Sequence, residues 1–98
     1  MTETQLKDKV LRMIKKEFPQ IWVTKIDSRT ISGLPDLILC VPDKQLIGRL
    51  FAIELKVSKN TTTKLQNYVL QRINLAGGIT AVCQSVEEVK NFLNKNPY

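Results

Sequence analysis

The chain has 98 residues, 43% of them hydrophobic, and a net charge of +6 from 15 Lys and Arg against 9 Asp and Glu. This length allows one compact domain, residues 1–98, with a real core. The positive charge favours a polyanionic partner, while the absence of histidine and of paired cysteines argues against a zinc site.

Local composition excludes further classes of protein. The first residues lack the apolar segment of a signal peptide, and no run approaches membrane-spanning length, so we expect a cytoplasmic protein without membrane contact. Cys40 and Cys83 lie in apolar runs and are interpreted as small buried hydrophobes. The absence of aromatic-rich basic segments argues against binding of single strands by base stacking.

The first predicted element is a helix near residues 4–18, which Pro19 ends. Its apolar stripe repeats at spacings of three and four: Leu6, Val10, Met13, Ile14 and Phe18. Glu17, eleven residues after Leu6, returns to almost the same angular position, so helix geometry predicts an acid along the buried face of the last turn. The alternative is a solvated glutamate paired with a neighbouring lysine, and the pattern does not decide between the two.

A β-rich run at residues 21–26 predicts the first strand, at a sheet edge because of its mixed polar pattern. A polar connector follows. Within it, Arg29 and Ser32 are near enough to the next motif to contact a phosphate, although taken alone they are more typical of ordinary loop residues.

The next two apolar runs flank a turn at residues 42–48, whose Pro, Asp and Gly predict an antiparallel hairpin. If the hairpin is symmetric about Gln45, Asp36 falls opposite Glu54, on one face with Lys56. Burying these three charged groups is costly unless they pair or bind a metal. A buried salt-bridge triad is one interpretation, and the other is an all-oxygen site for Mg²⁺ or Mn²⁺ beside a lysine that holds water or a phosphate oxygen.

Residues 58–63 form a polar loop that we expect to be mobile, with Lys59 and the following Lys64 as basic groups. Such a loop suits contact with a substrate, although mobility is equally typical of an ordinary loop. Thr63 and Gln66 match a capping box that opens a second helix, ending at Gly77. Gln66 is thus either a cap residue alone or an amide that also reaches the charged residues.

Residues 79–83 predict a last strand, and a second capping box at residues 85–88 opens a terminal helix. The predicted element order is α-β-β-β-α-β-α. Because apolar residues occur on both faces of the central strands, we expect helices on both sides of the sheet.

These residues resemble the PD-(D/E)XK nuclease motif, with Pro35-Asp36 followed, after the hairpin, by Glu54-Leu55-Lys56. With Gly33, Gln66 and the helix ending in Ala-Gly-Gly, the pattern looks like the VRR-NUC branch, which occurs in small phage and bacterial proteins and in repair enzymes. The resemblance runs from the first helix to about Leu93. It implies an α/β fold with a restriction-endonuclease-like core, a small mixed sheet flanked by helices. Residues 58–63 depart from the pattern, since a Gly- and Pro-containing loop is expected there.

The resemblance also implies roles for individual residues. Asp36 and Glu54 would bind Mg²⁺ or Mn²⁺ with the backbone carbonyl of Leu55, and Glu17 would complete the metal site. Lys56 would be the catalytic lysine, and Gln66 would orient it or the attacking water.

The activity implied is metal-dependent hydrolysis of DNA phosphodiesters by a homodimer, selective for branched DNA such as a Holliday junction, in replication, recombination or repair. A catalytically silent DNA-binding module of the same fold is the alternative. An interaction protein with a buried ion network is a third possibility, and metal would not change its stability.

Overall fold

The computed structural model describes residues 1–27, 31–58 and 61–96, so the expectations for Arg29 and Lys59 lie outside the described residues. The described elements follow the predicted order, and the α/β class is confirmed. In chain order they are α1 (Glu3–Glu17), β1 (Trp22–Lys25), β2 (Leu37–Pro42), β3 (Gly48–Leu55), α2 (Lys64–Leu75), β4 (Ile79–Cys83) and α3 (Val86–Lys95).

The four strands form one mixed sheet in the order β1-β2-β3-β4. β2 pairs antiparallel with β1 and β3, and β4 joins β3 in parallel after the α2 crossover. The Leu37–Ile53 and Cys40–Leu50 pairs match the predicted hairpin register, and the same phase places Asp36 opposite Glu54. The predicted edge position of β1 is confirmed as well.

The hairpin turn sets this register through the side chain of Asp43. Its Oδ1 accepts hydrogen bonds from the backbone N–H groups of Gln45, at 2.8 Å, and Ile47, at 2.9 Å. An Asp side chain that caps its own turn in this way stabilises one loop conformation. Because a slip of one residue would exchange the two faces of a strand, the turn decides which side chains stand opposite each other.

One face of the sheet carries the hydrophobic core. Residues Leu37, Leu39, Phe51, Ile53 and Leu55 are fully buried there. The apolar stripe of α1 and residues Val89 and Leu93 of α3 belong to the same cluster. Helix α1 starts at a capping box formed by Thr2 and Gln5, which satisfies backbone N–H groups at its first turn.

The opposite face is covered only in part among the described residues. Helix α2 packs beside β4, whereas Trp22 and Leu50 on this face are exposed. Cys40 pairs with both of these residues and is exposed too, so the interpretation of Cys40 as a buried hydrophobe is wrong, while Cys83 is buried as predicted. We expected helices to cover both faces of the sheet. Among the described residues they cover the core face completely and the opposite face only in part, because a single crossover helix cannot span four strands. No helix in the described ranges is long and apolar enough to cross a membrane.

Candidate active site

The paired ends of β2 and β3 bring Asp36 and Glu54 together. Asp36 lies one residue before β2, where its carbonyl accepts a hydrogen bond from the Ile26 N–H at 2.9 Å. Its carboxyl Oδ2 accepts the N–H of Leu55 at 2.7 Å. Glu54, on β3, is only 2% exposed. Both residues line a cavity of about 300 Å³ together with residues 32–34 and the first turn of α2.

The turn before Asp36 depends on glycine at position 33. Gly33 has a φ of +85°, a conformation that side chains disfavour, and a Cβ built there would lie 2.5 Å from Cγ of Leu65. The chain thus passes in close contact with the start of α2. This close approach explains why the motif needs Gly before the Pro-Asp pair.

The two carboxyl groups titrate as a pair with opposite shifts. Burial, the hydrogen bond to Asp36 and its negative charge raise the pKa of Glu54 to about 9. Burial also acts to raise the pKa of Asp36, but hydrogen bonds from Glu54 and the Leu55 N–H, together with the Lys7 charge, hold that pKa below its usual value. Near neutral pH the metal-free pair therefore holds one proton, on Glu54.

The second oxygen of Glu54 is incompletely satisfied. Its Oε2 is buried and has no hydrogen-bond partner among the residues that the structure describes. A buried polar atom without a partner is unusual in a folded protein and calls for an explanation such as a bound ion. Such an oxygen beside a second carboxylate has the chemistry of a hard-cation ligand.

Two lysines approach these carboxyl groups, and one of them was not predicted. Lys56, only 12% exposed at its side chain, lies with its Nζ 3.9 Å from Oε1 of Glu3 on α1. Lys7, one turn further along α1, places its Nζ 3.2 Å from Oδ1 of Asp36. Neither Glu3 nor Lys7 was expected from the sequence. Their spacing of four residues beside Leu6 was the available signal, since it places both on one side of the helix.

Glu17 lies far from this site. It is at the last turn of α1, about 21 Å along the helix from Glu3 by helix rise. Its Oε2 pairs with Nζ of Lys90 at 3.2 Å, and its side chain is 44% exposed. Of the two interpretations of Glu17, the solvated glutamate paired with a lysine is confirmed, while the acid on the buried face that completes the site is wrong. Its angular position was no guide, because the first two turns of α1, and not the last, lie against Lys56 and Asp36.

Gln66 fits both interpretations left open by its sequence position. Its side-chain oxygen accepts the N–H of Thr63 at 2.9 Å, which confirms the capping box. Gln66 also lines the cavity with Asp36 and Glu54. Ser32 is another lining residue, while Lys64 is exposed at the first position of α2. The roles predicted for Gln66, Ser32 and Lys64 remain predictions.

The carboxylates of this site are compatible with a divalent cation that takes only a few ligands from the protein. Within residues 1–27, 31–58 and 61–96, no three or more His, Cys, Asp or Glu residues group closely enough to hold a metal. Mg²⁺ needs no such cluster, since it keeps several waters and takes one or two protein carboxylates with substrate phosphate. Asp36 and Glu54 fit that requirement. The ligand role of the Leu55 carbonyl remains a prediction.

Comparisons with known proteins identify the class of fold. One solved structure, a VRR_NUC domain, superposes with a TM-score of 0.70 at 23% identity, covering 94% of this chain and 97% of that one. A second, a VRR_NUC domain protein, gives a TM-score of 0.75 at 19% identity, covering 97% of this chain and 87% of that one. The chain therefore has the fold of VRR_NUC domains over nearly its whole length. No protein-family model and no curated protein matches the sequence.

Proposed function

We propose that the protein is a deoxyribonuclease that hydrolyses DNA phosphodiester bonds with Mg²⁺ or Mn²⁺. The observation that carries the proposal is the buried Glu54, whose Oε2 lacks a partner among the described residues although a second carboxylate and two lysines surround the site. The fold shared with VRR_NUC domains supports the same activity. The net charge of +6 suits a polyanionic substrate.

Each residue of the site has a defined task under this proposal. Asp36 and Glu54 hold the cation, which supplies an activated water and neutralises charge on the phosphate. Lys56 holds the water or a phosphate oxygen, and its burial against Glu3 keeps its ammonium in place. Gln66 orients Lys56 or the water from the first turn of α2. Glu3, at the N-terminal turn of α1, is the acid that this helix contributes to the site, and its task is to pair with Lys56 rather than to bind the cation.

A purely DNA-binding module is the rival function, and one experiment separates the two. Labelled duplex, flap and four-way-junction DNA are incubated with Mg²⁺, with Mn²⁺ and with chelator, using the wild type, Glu54→Gln and the control Glu17→Gln. We expect metal-dependent cutting by the wild type and by the control but not by Glu54→Gln. Binding without cutting under every condition would refute the nuclease and favour the silent module.

The DNA arms of this experiment also test the predicted preference for branched substrates. We propose that flaps or junctions are cut faster than plain duplex. Equal rates on all three shapes would remove that preference and leave a general deoxyribonuclease.

We further propose a homodimer formed through the uncovered sheet face over β1 and β2. Trp22, Ile38 and Cys40 share that face, and none of them carries charge, so two copies of a basic chain can approach there without direct repulsion. We expect light scattering to give twice the monomer mass for the wild type and the monomer mass for Trp22→Ser. A monomer mass for the wild type at every concentration would refute the dimer.

A further inference from the structure

A second, larger cavity lies beside helix α2, away from the carboxyl groups. It measures about 670 Å³ and lies between the start of β3 and one side of α2. We call it the α2 groove and define it by Arg49, Leu50, Tyr68, Arg72 and Ile73. A volume of this size is typical of pockets that hold small organic ligands.

The α2 groove combines apolar, aromatic and cationic groups. Leu50 and Ile73 are part of its apolar lining, and Tyr68 is 59% exposed. Arg49 donates its Nε–H to the carbonyl of Gly77 at 3.1 Å, which restrains that guanidinium beside the groove. Arg72 is exposed. None of the described residues that line this cavity is acidic, and α2 itself contains no Asp or Glu. The groove is therefore complementary to a negatively charged ligand with a flat apolar part.

The α2 groove and the candidate active site lie along the same two elements, β3 and α2. Leu50 and Glu54 lie on the same face of β3, four residues or about 13 Å apart. Lys64, Tyr68 and Arg72 follow at intervals of four along α2, so they form one exposed row with steps of about 6 Å. Leu65, which lines the active-site cavity, lies one helical turn before Tyr68 and Val69 of the groove, so the two sites are neighbours along α2. A DNA strand bound at Asp36 and Glu54 therefore reaches the groove within a few nucleotides.

We propose that the α2 groove binds an unpaired nucleotide of the DNA strand that enters the active site. The base stacks on Tyr68 above Leu50 and Ile73, and Arg72 contacts the adjacent phosphate. A base within a duplex has both faces covered by its neighbours, so only an unpaired base can use the tyrosine ring. The inference rests on the proposed function for the identity of the ligand as DNA, and it names unpaired DNA as the substrate class.

From the sequence alone we expected no binding of single strands by base stacking, and the groove reverses that expectation. That expectation considered aromatic and basic residues within one segment, whereas the groove takes Arg49 from β3 and Tyr68 and Arg72 from α2. The crossover between β3 and β4 brings these segments together.

Binding measured without cutting tests the proposal. Fluorescence anisotropy in chelator, over a range of salt concentrations, compares a single-stranded oligonucleotide with a blunt duplex. The variants are Tyr68→Leu, Tyr68→Phe and Arg72→Gln. Arg12→Gln is the matched control, since Arg12 is an exposed arginine on α1, across the sheet from α2. Thermal melts confirm that each variant is folded, as expected for changes at exposed side chains.

We expect Tyr68→Leu to weaken single-strand binding at least about fivefold, the lower range for loss of one stacked base, and to leave duplex binding unchanged. Tyr68→Phe keeps the ring and is expected to bind like the wild type. Arg72→Gln is expected to reduce the slope of log affinity against log salt concentration by about 0.7 for the single strand. This is the value of one phosphate contact. The control is expected to keep the wild-type slope.

Two results would overturn the α2 groove as a nucleotide site. One is a Tyr68→Leu variant that binds single strands like the wild type or loses single-strand and duplex affinity equally. The other is an Arg72→Gln variant whose salt dependence equals that of Arg12→Gln. If the wild type cuts DNA while these variants bind normally, the groove fails and the nuclease stands. If the variants lose single-strand binding but the wild type cuts nothing, the nuclease fails and the groove stands.

Discussion

Replacing Glu54 by Gln should stabilise the metal-free protein, although Glu54 is the central acid of the proposed site. Glu54 is 2% exposed and lies against the Asp36 carboxylate, and both conditions favour its neutral form. Gln has nearly the same shape and is neutral at every pH. Its amide N–H can donate to Asp36 as the protonated carboxyl group does.

The size of the effect follows from the proton that Glu54 takes up on folding. In the unfolded chain its pKa is near 4.5, and in the fold it is raised to about 9. Between these values the folded state binds more protons, so the wild type loses stability as pH rises. At pH 7, which is 2.5 pH units above 4.5, the cost at about 1.4 kcal/mol per unit is roughly 3 kcal/mol, and Gln avoids it. For a domain of this length that corresponds to a Tm higher by roughly 12 to 24 °C.

Urea denaturation in chelator from pH 5 to pH 8 measures this difference directly. We expect the advantage of Glu54→Gln to be small at pH 5 and to grow steadily with pH. Glu17→Gln is the control, because Glu17 is exposed at an ion pair and should change stability little. A difference between Glu54→Gln and wild type that does not change with pH would show that Glu54 is ionised in the fold, and would refute the shared proton.

Three further predictions concern the groups around the two carboxyls. Lys56→Ala should abolish cleavage and keep DNA binding, since Lys56 lies beside the proposed ligands; measurable turnover in a cleavage assay would remove it from the mechanism. Glu3→Gln should reduce cleavage up to about fivefold by releasing Lys56, the upper range for loss of one ion pair, while Glu17→Gln stays at the wild-type rate. Equal cleavage rates for the two variants would show that Glu3 has no part in the site. Lys7→Gln should tighten Mg²⁺ binding, measured by calorimetry, because the Lys7 ammonium competes with the cation for Asp36. The gain should be up to about fivefold, the upper range for loss of one ion pair. Unchanged or weaker binding would contradict this competition.

Local patterns in the sequence were sufficient for the secondary structure and the register of the hairpin. Helix stripes repeat every three or four residues, and strands alternate, so the order of elements could be predicted from hydrophobic spacing. The turn at Asp43 bonds to its own backbone, and the residues that decide the register of β2 on β3 lie within that short segment. For this reason the juxtaposition of Asp36 and Glu54 could also be predicted from the sequence.

The tertiary structure alone decided which residues from distant elements join the site. Angular position placed Glu17 and Leu6 on one stripe, but only the packing of α1 on the sheet determines that Glu3 and Lys7 lie at the carboxyls. The position of the crossover helix α2 decides two further features in the same way. It determines how much of the second sheet face is covered, and it brings Arg49 and Tyr68 to one cavity. Periodicity gives the face of each element, whereas the position of one element along another depends on the packing of the whole core, which no local segment encodes.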